Sequence, residues 1–398
     1  MLKLYPHQLS TIEKLRSGSI LYGGVGLGKT ITALAYYFNK VCGGSIGDGQ
    51  HYISMIDPID LYVITTAAKR DKKEWETDAA EFLLETYNIN FVVDSWNNIA
   101  KYKGVRGSFI IFDEQRVVGK GKWVKSFLEM AKRNQWILLT ATPGDVWMDY
   151  IPVFIANGFI KNRTEFNMKY VLAWNPFTTF PKPTRFNDEA LEKFRDAILV
   201  KMPDPRTTER HKHYIWCEYN KELYKTILRD RWDPYKDEPI QNAAGVCYLL
   251  RKVVNSDESR IAQLRGLLLL MSKVIIFYNF DYELELIRDA CECLRLNHAE
   301  WNGHRHDPIP DTNEWVYIVQ YSAGSEGWNC TETNIIIFYS LNYSYRSMEQ
   351  ASGRIDRMNT RFKDLDYYIL VSKSTIDAAI MKAIDKKKKF NAVKFVGG

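Results

Sequence analysis

The stretch Gly23-Gly24-Val25-Gly26-Leu27-Gly28-Lys29-Thr30 fits the pattern G-x-x-x-x-G-K-[ST] through Gly23, Gly28, Lys29 and Thr30, with a further glycine at Gly26. Glycines let the backbone curl until several N–H groups point inward at phosphate oxygens. In such a loop Lys29 reaches the β- and γ-phosphates and the Thr30 hydroxyl holds Mg²⁺. A loop of this kind needs an acid on the metal side, and Phe109-Ile110-Ile111-Phe112-Asp113-Glu114 supplies it. Four apolar residues place Asp113 at the C-terminal edge of a buried strand, where α/β sheets bind ligands. Asp113 would position Mg²⁺, directly or through water, and Glu114 would orient or deprotonate an attacking water.

Three further stretches carry polar groups of fitting chemistry. In Tyr5-Pro6-His7-Gln8, the Gln8 amide can pair with adenine through one donor and one acceptor. Leu139-Thr140-Ala141-Thr142-Pro143 follows another apolar run; its hydroxyls, on Thr140 and Thr142, either sense the Asp113–Glu114 pair or end a strand in an ordinary turn. Gln350-Ala351-Ser352-Gly353-Arg354-Ile355-Asp356-Arg357 sets two arginines three apart, on one face if the segment is helical. A guanidinium aimed at a γ-phosphate stabilises developing charge; a salt-bridged surface helix is the other reading.

The elements that must position these groups are legible as short apolar runs. Ser19–Tyr22, Leu61–Ile64, Asn90–Val93, Phe109–Phe112 and Trp136–Leu139 each end at Gly, Thr, Asp or Ser, as buried parallel strands do under helices on both faces. A second set follows residue 206: His213–Cys217, Lys273–Tyr278, Val316–Val319 and Asn334–Phe338, with a helical pattern from Tyr282 to Leu294. Between the two sets, residues 161–205 hold five of the thirteen prolines and read as an irregular connector. The fold class expected is α/β, with lobe one at 1–160, lobe two at 206–398 and a basic tail at 386–398.

Composition sets the outer limits. The 398 residues are 46% hydrophobic and 26% charged, which excludes a disordered, collagenous or coiled-coil chain. The apolar runs fall far short of the ~20 residues that cross a bilayer, and the N-terminus has no apolar signal core, so a cytoplasmic protein is expected. Six scattered cysteines read as reduced, buried thiols. Five of the 54 basic residues lie in Lys386–Lys394 with no acid among them, leaving 49 against 48 acids elsewhere. The tail is either a solvated end or a phosphate-binding arm, and any nucleic-acid surface in the body must be a local patch.

In order, Gln8, the phosphate loop, Asp113-Glu114, Thr140-Ala141-Thr142 and Gln350-x-x-Gly353-Arg354-x-x-Arg357 resemble the superfamily-two helicases and translocases. Lys273–Phe280 and Ala323–Asn329 resemble the Snf-type branch, in a compact form similar to helicases of phages. The resemblance implies two tandem RecA-like lobes, ATP and Mg²⁺ in the cleft between them, and a monomeric motor that couples hydrolysis to movement along DNA. Implied partners are duplex or single-stranded DNA and proteins of replication or recombination. It implies backbone contacts from Thr65, Thr66, Ser95 and Trp96 on lobe one and from Tyr278, Asn279, Ser322 and Gly324 on lobe two. Thr140, Thr142, Gly327, Asn329 and Gln350 would couple the sites, and Arg354 and Arg357 would join Lys29, Asp113 and Glu114 in catalysis. Two departures stand out: Arg116 where the family often has histidine, and Trp328 in place of an aliphatic residue. An RNA helicase or an ATPase of another class, such as a replication loader, are the alternative functions.

Overall fold

The apolar runs of the first half become β1 (Ile20–Tyr22), β2 (Leu61–Thr65), β3 (Phe91–Ser95), β4 (Phe109–Asp113) and β5 (Gln135–Thr140). They appear in a computed structural model that describes residues 2–397 apart from 115–116, 118, 142, 145, 176–181, 325–329 and 388. The chain divides into two compact units, Met1–Pro205 and Arg206–Gly398. Phe109, Ile110, Ile111 and Phe112 are all fully buried, each contributing roughly 1.5–3 kcal/mol of apolar transfer. With no polar face to alternate, such runs fit only a sheet covered on both sides.

Residues 161–205 are more regular than their prolines suggest. They contain helices Arg163–Tyr170 and Asp188–Ile198 and an antiparallel ribbon of β6 (Val171–Asn175) and β7 (Lys182–Phe186). They also contain β8 (Leu199–Lys201), which pairs with β1. The first sheet is therefore six parallel strands in the order β3-β2-β4-β5-β1-β8. The prolines are tolerated because those of β7 and of the stretch after β8 lie in a two-stranded ribbon and beyond a strand end, where a missing N–H breaks no central ladder.

The second unit repeats the plan. After β9 (Glu209–Cys217) comes a short ribbon of β10 (Trp232–Asp233) and β11 (Glu238–Pro239). Then follow β12 (Lys273–Tyr278), β13 (His298–Trp301), β14 (Trp315–Gln320), β15 (Ile335–Phe338) and β16 (Asp364–Ser372). The parallel order is β13-β14-β12-β15-β16-β9. One apolar cluster covers each face of this sheet, with Ile275 and Phe277 pointing to one and Val274, Ile276 and Tyr278 to the other. The expected helix is present as Asp281–Cys293.

The basic tail folds back. Phe390 is buried against Tyr343, with ring centroids 5.1 Å apart, and its N–H donates to the Tyr343 carbonyl at 2.7 Å. The helix Ala392–Gly397 follows, with Phe395 packed on the same core, while Lys386, Lys387 and Lys389 stay exposed. All six cysteines are free thiols, and only Cys293 is exposed. No helix among the described residues is long and apolar enough to cross a membrane.

Candidate functional site

The strand order places β4, β5 and β1 side by side, so three neighbouring C-terminal ends converge: Asp113-Glu114, Thr140 and the glycine loop. The Gly23 N–H donates to the Thr140 carbonyl at 3.2 Å, tying the start of the loop to β5. Gly26 and Gly28 take φ of +83° and +73°, the left-handed conformation that turns successive N–H groups inward. Gly28 caps the helix Lys29–Tyr36, which opens on Lys29 and Thr30. The Lys29 ammonium donates to the carbonyls of Gly23 and Gly24, both at 2.8 Å, and so lies across the loop.

Close packing crowds two of the loop's glycines. A Cβ on Gly28 would sit 2.6 Å from Gln8 Nε2, and one on Gly23 would sit 3.0 Å from Met202 Sδ. Met202 reaches that place because β8 continues alongside β1, its N–H donating to Tyr22 at 2.7 Å. Gln8 is buried in the helix Pro6–Ile12, where its Oε1 accepts from Tyr5 N at 2.8 Å and its Nε2 donates to the Gly28 carbonyl at 3.3 Å. Both ends of the amide that the sequence assigns to adenine are thus engaged with backbone, and Gln8 braces the phosphate loop.

The acid pair is held from several sides. One Asp113 oxygen accepts from Thr65 Oγ1 at 2.7 Å, Lys69 Nζ at 2.8 Å and Trp75 Nε1 at 3.2 Å. Burial alone would raise the Asp113 pKa, but the Lys69 ammonium and these donors outweigh it and hold the carboxyl below its usual range. The Lys69 pKa is raised in turn: desolvation opposes its charge, and Asp113 and Glu114 more than restore it. Its ammonium lies 4.0 Å from Glu114 Oε1. Glu114 has φ of +61°, a strained setting for a residue with a Cβ. A hydroxyl and an ionised carboxylate are hard oxygen ligands of the kind Mg²⁺ takes, so Thr30 and Asp113 fit the metal by donor chemistry.

Several residues expected to grip a nucleic-acid backbone have other partners. Thr65 is fully buried on Asp113, and Thr66 caps the helix Ala67–Asp71 by accepting from Lys69 N. Ser95 is buried beside Arg70 at 3.4 Å. Its neighbour Asp94 accepts from Ser95 N, Asn98, Tyr102 and Arg70; burial opposes this charge, yet the donors bring its pKa down to about 2. Trp96 stacks on Phe112 in the core and donates to the Asp113 carbonyl at 2.8 Å. In the second unit Tyr278 is fully buried. Asn279 donates to Ser340 and Leu341 and accepts from Asn342. The buried Glu283 carboxylate accepts from Asn255, Ser340 and Asn279 N, which fixes the ends of β12 and β15. Ser322 is exposed, and Gly324 ends the short helix Tyr321–Gly324. Thr142, Gly327 and Asn329, with Arg116 and Trp328, lie outside the described residues.

The arginine motif is not one helical face. Gln350 lies on the helix Tyr345–Ser352, which Gly353 terminates, so Arg354 and Arg357 sit in the turn beyond it. That turn is pinned by Asp356, whose buried carboxylate accepts from Thr208 at 2.9 Å and from Arg210 Nε at 2.7 Å, with Arg206 at 3.2 Å. Arg210 also reaches Glu349 at 2.7 Å. Sequence motifs do not mark Lys69, Trp75, Met202 or Arg210; Asp356 stands inside the arginine motif, where an acid between two arginines is the signal the sequence offers.

The helicase conserved C-terminal domain matches residues 259–359, the span that holds β12 to β15 and the arginine turn. The chain is 22% identical over 226 residues to the chromatin-remodeling ATPase INO80 of Aspergillus oryzae, covering 51% of this chain and 16% of that protein. It is 26% identical over 126 residues to the human lymphoid-specific helicase, covering 29% and 15%. Over part of its length the chain is therefore similar to helicase-type ATPases, chromatin-remodeling ATPases among them. The chain matches about a sixth or less of the length of those relatives. Among solved structures, the Sulfolobus solfataricus SWI2/SNF2 ATPase core in complex with dsDNA covers 96% of this chain and 91% of its own, at 16% identity and a TM-score of 0.41.

Proposed function

We propose that the chain is an ATP-dependent DNA translocase whose ATP hydrolysis is stimulated by nucleic acid. The observation that carries this reading is the convergence of the glycine loop with its Lys29, Thr140 and the Asp113–Glu114 pair on three adjacent strand ends. The similarity to proteins named as a chromatin-remodeling ATPase and a lymphoid-specific helicase supports DNA as the polymer.

In this reading the inward N–H groups of Gly23–Thr30 bind the triphosphate, and Lys29 leaves its loop carbonyls for the β- and γ-phosphates. Thr30 and Asp113 would hold Mg²⁺, which would neutralise phosphate charge. Glu114 orients the attacking water and accepts its proton. Arg354 and Arg357, held by the Asp356 turn, supply positive charge to the γ-phosphate as it departs. Cycles of binding and hydrolysis then drive steps along one strand.

ATP turnover measured with no polymer, duplex DNA, single-stranded DNA and single-stranded RNA at one salt concentration tests the proposal. Turnover should rise on adding DNA and fall at least ~100-fold in Lys29→Ala and in Glu114→Gln. Equal turnover by wild type and Lys29→Ala would refute the site. A stimulation confined to RNA would replace DNA with RNA as the track.

A further inference from the structure

The helix Ala67–Asp71 spans the ends of three neighbouring strands. It leaves β2, its Arg70 is 3.1 Å from Asp94 at the end of β3, and its Lys69 is 2.8 Å from Asp113 at the end of β4. The Lys69 side chain is 21% exposed and the Asp113 side chain 3%, so the ion pair is largely withdrawn from water. Asp113 and Glu114 carry two negative charges side by side, and Lys69 faces both of them, at 2.8 and 4.0 Å. A single ammonium therefore faces the acid pair on which the chemistry proposed for this site places a divalent cation.

We propose that Lys69 is a positioning residue that competes with the divalent cation for Asp113 and Glu114, and thereby sets how tightly the site loads metal. The inference rests on the nucleotide-site reading above. Asp113 keeps its orientation without Lys69, because Thr65 and Trp75 donate to the same oxygen. Removing the ammonium leaves an acid pair that is still aimed but less neutralised, so a cation should bind it more tightly. Lys69 lies in the first turn of its helix, its N–H donating to the capping Thr66 hydroxyl, which gives that short helix a direct lever on the metal site.

The test is Mn²⁺ binding to the full chain at saturating ADP, followed by the electron paramagnetic resonance of free Mn²⁺, with ADP binding in chelator as the control for a folded site. Lys69→Gln and the apolar, similarly long Lys69→Met should bind Mn²⁺ on the order of tenfold more tightly than wild type. Lys69→Arg should stay near wild type, and Asp113→Asn should bind far more weakly. Affinities for Lys69→Gln and Lys69→Met within twofold of wild type, or weaker, would overturn the proposal while leaving the nucleotide site in place. A wild-type chain that binds neither ADP nor Mn²⁺ would remove both.

Discussion

At the scale of single residues, the site is built by contacts that no motif displays. Gly28 is required twice over, once by φ of +73° and once by Gln8 Nε2 lying 2.6 Å from any Cβ. Gly28→Ala should therefore weaken ADP binding by roughly tenfold or more, because the loop must open against Gln8 to fit a methyl group. Titration calorimetry with ADP measures this, and an unchanged affinity would mean the loop is not held against Gln8. Thr65 and Trp96 show the opposite case: polar groups at strand ends whose donors are spent on Asp113. A hydroxyl or indole at a strand terminus looks the same in sequence whether it faces a phosphate or a neighbouring carboxylate.

At the scale of elements, helix Glu74–Ala80 bears a carboxyl at odds with its surroundings. Burial, then Glu74, push the Asp78 pKa from 3.8 up to about 6. A carboxyl raised in the fold favours the folded state while protonated; that contribution is complete below about pH 4 and is lost as pH rises through about 6. Ionised Asp78 is then a net cost at neutral pH. Asp78→Asn should be more stable than wild type by about 1 kcal/mol at pH 8, allowing for solvent access, with the gain vanishing near pH 4. Thermal unfolding across that pH range reads it, and a gain that grows toward acid would contradict the sign. The arginine motif teaches a second lesson at this scale. Gly353 ends the helix, and Asp356, through Arg206 and Arg210, holds the turn that follows.

For the whole molecule, each unit has its own six-stranded sheet, and the two halves of the motif set are divided between them. If the proposed motor is right, Arg357→Ala should keep nucleotide affinity within a few fold yet lower DNA-stimulated turnover by at least ~100-fold. Fluorescent-nucleotide binding and turnover assayed on one preparation separate the two effects, and equal losses in both would count against a role confined to the γ-phosphate. The tail folds back through Phe390 while Lys386, Lys387 and Lys389 stay exposed on the second unit.

The amino-acid sequence alone determined the α/β class, five strands of the first sheet and four of the second, and it suggested the phosphate loop and acid pair on which the proposed function rests. These are local properties: apolar runs long enough to be strands, and glycines spaced for a turn. It did not yield β8, β13 or β16, nor the partners of Gln8, Lys69 and Asp356, although Leu365, Tyr367 and Ile369 alternate inward along β16. Those depended on which strands become neighbours. Lys69 meets Asp113 only because β2 pairs with β4, and Met202 meets Gly23 only because β8 pairs with β1. Strand order is settled by the packing of whole faces, so contacts across 44 or more residues of chain follow from the tertiary fold and from no shorter stretch of it.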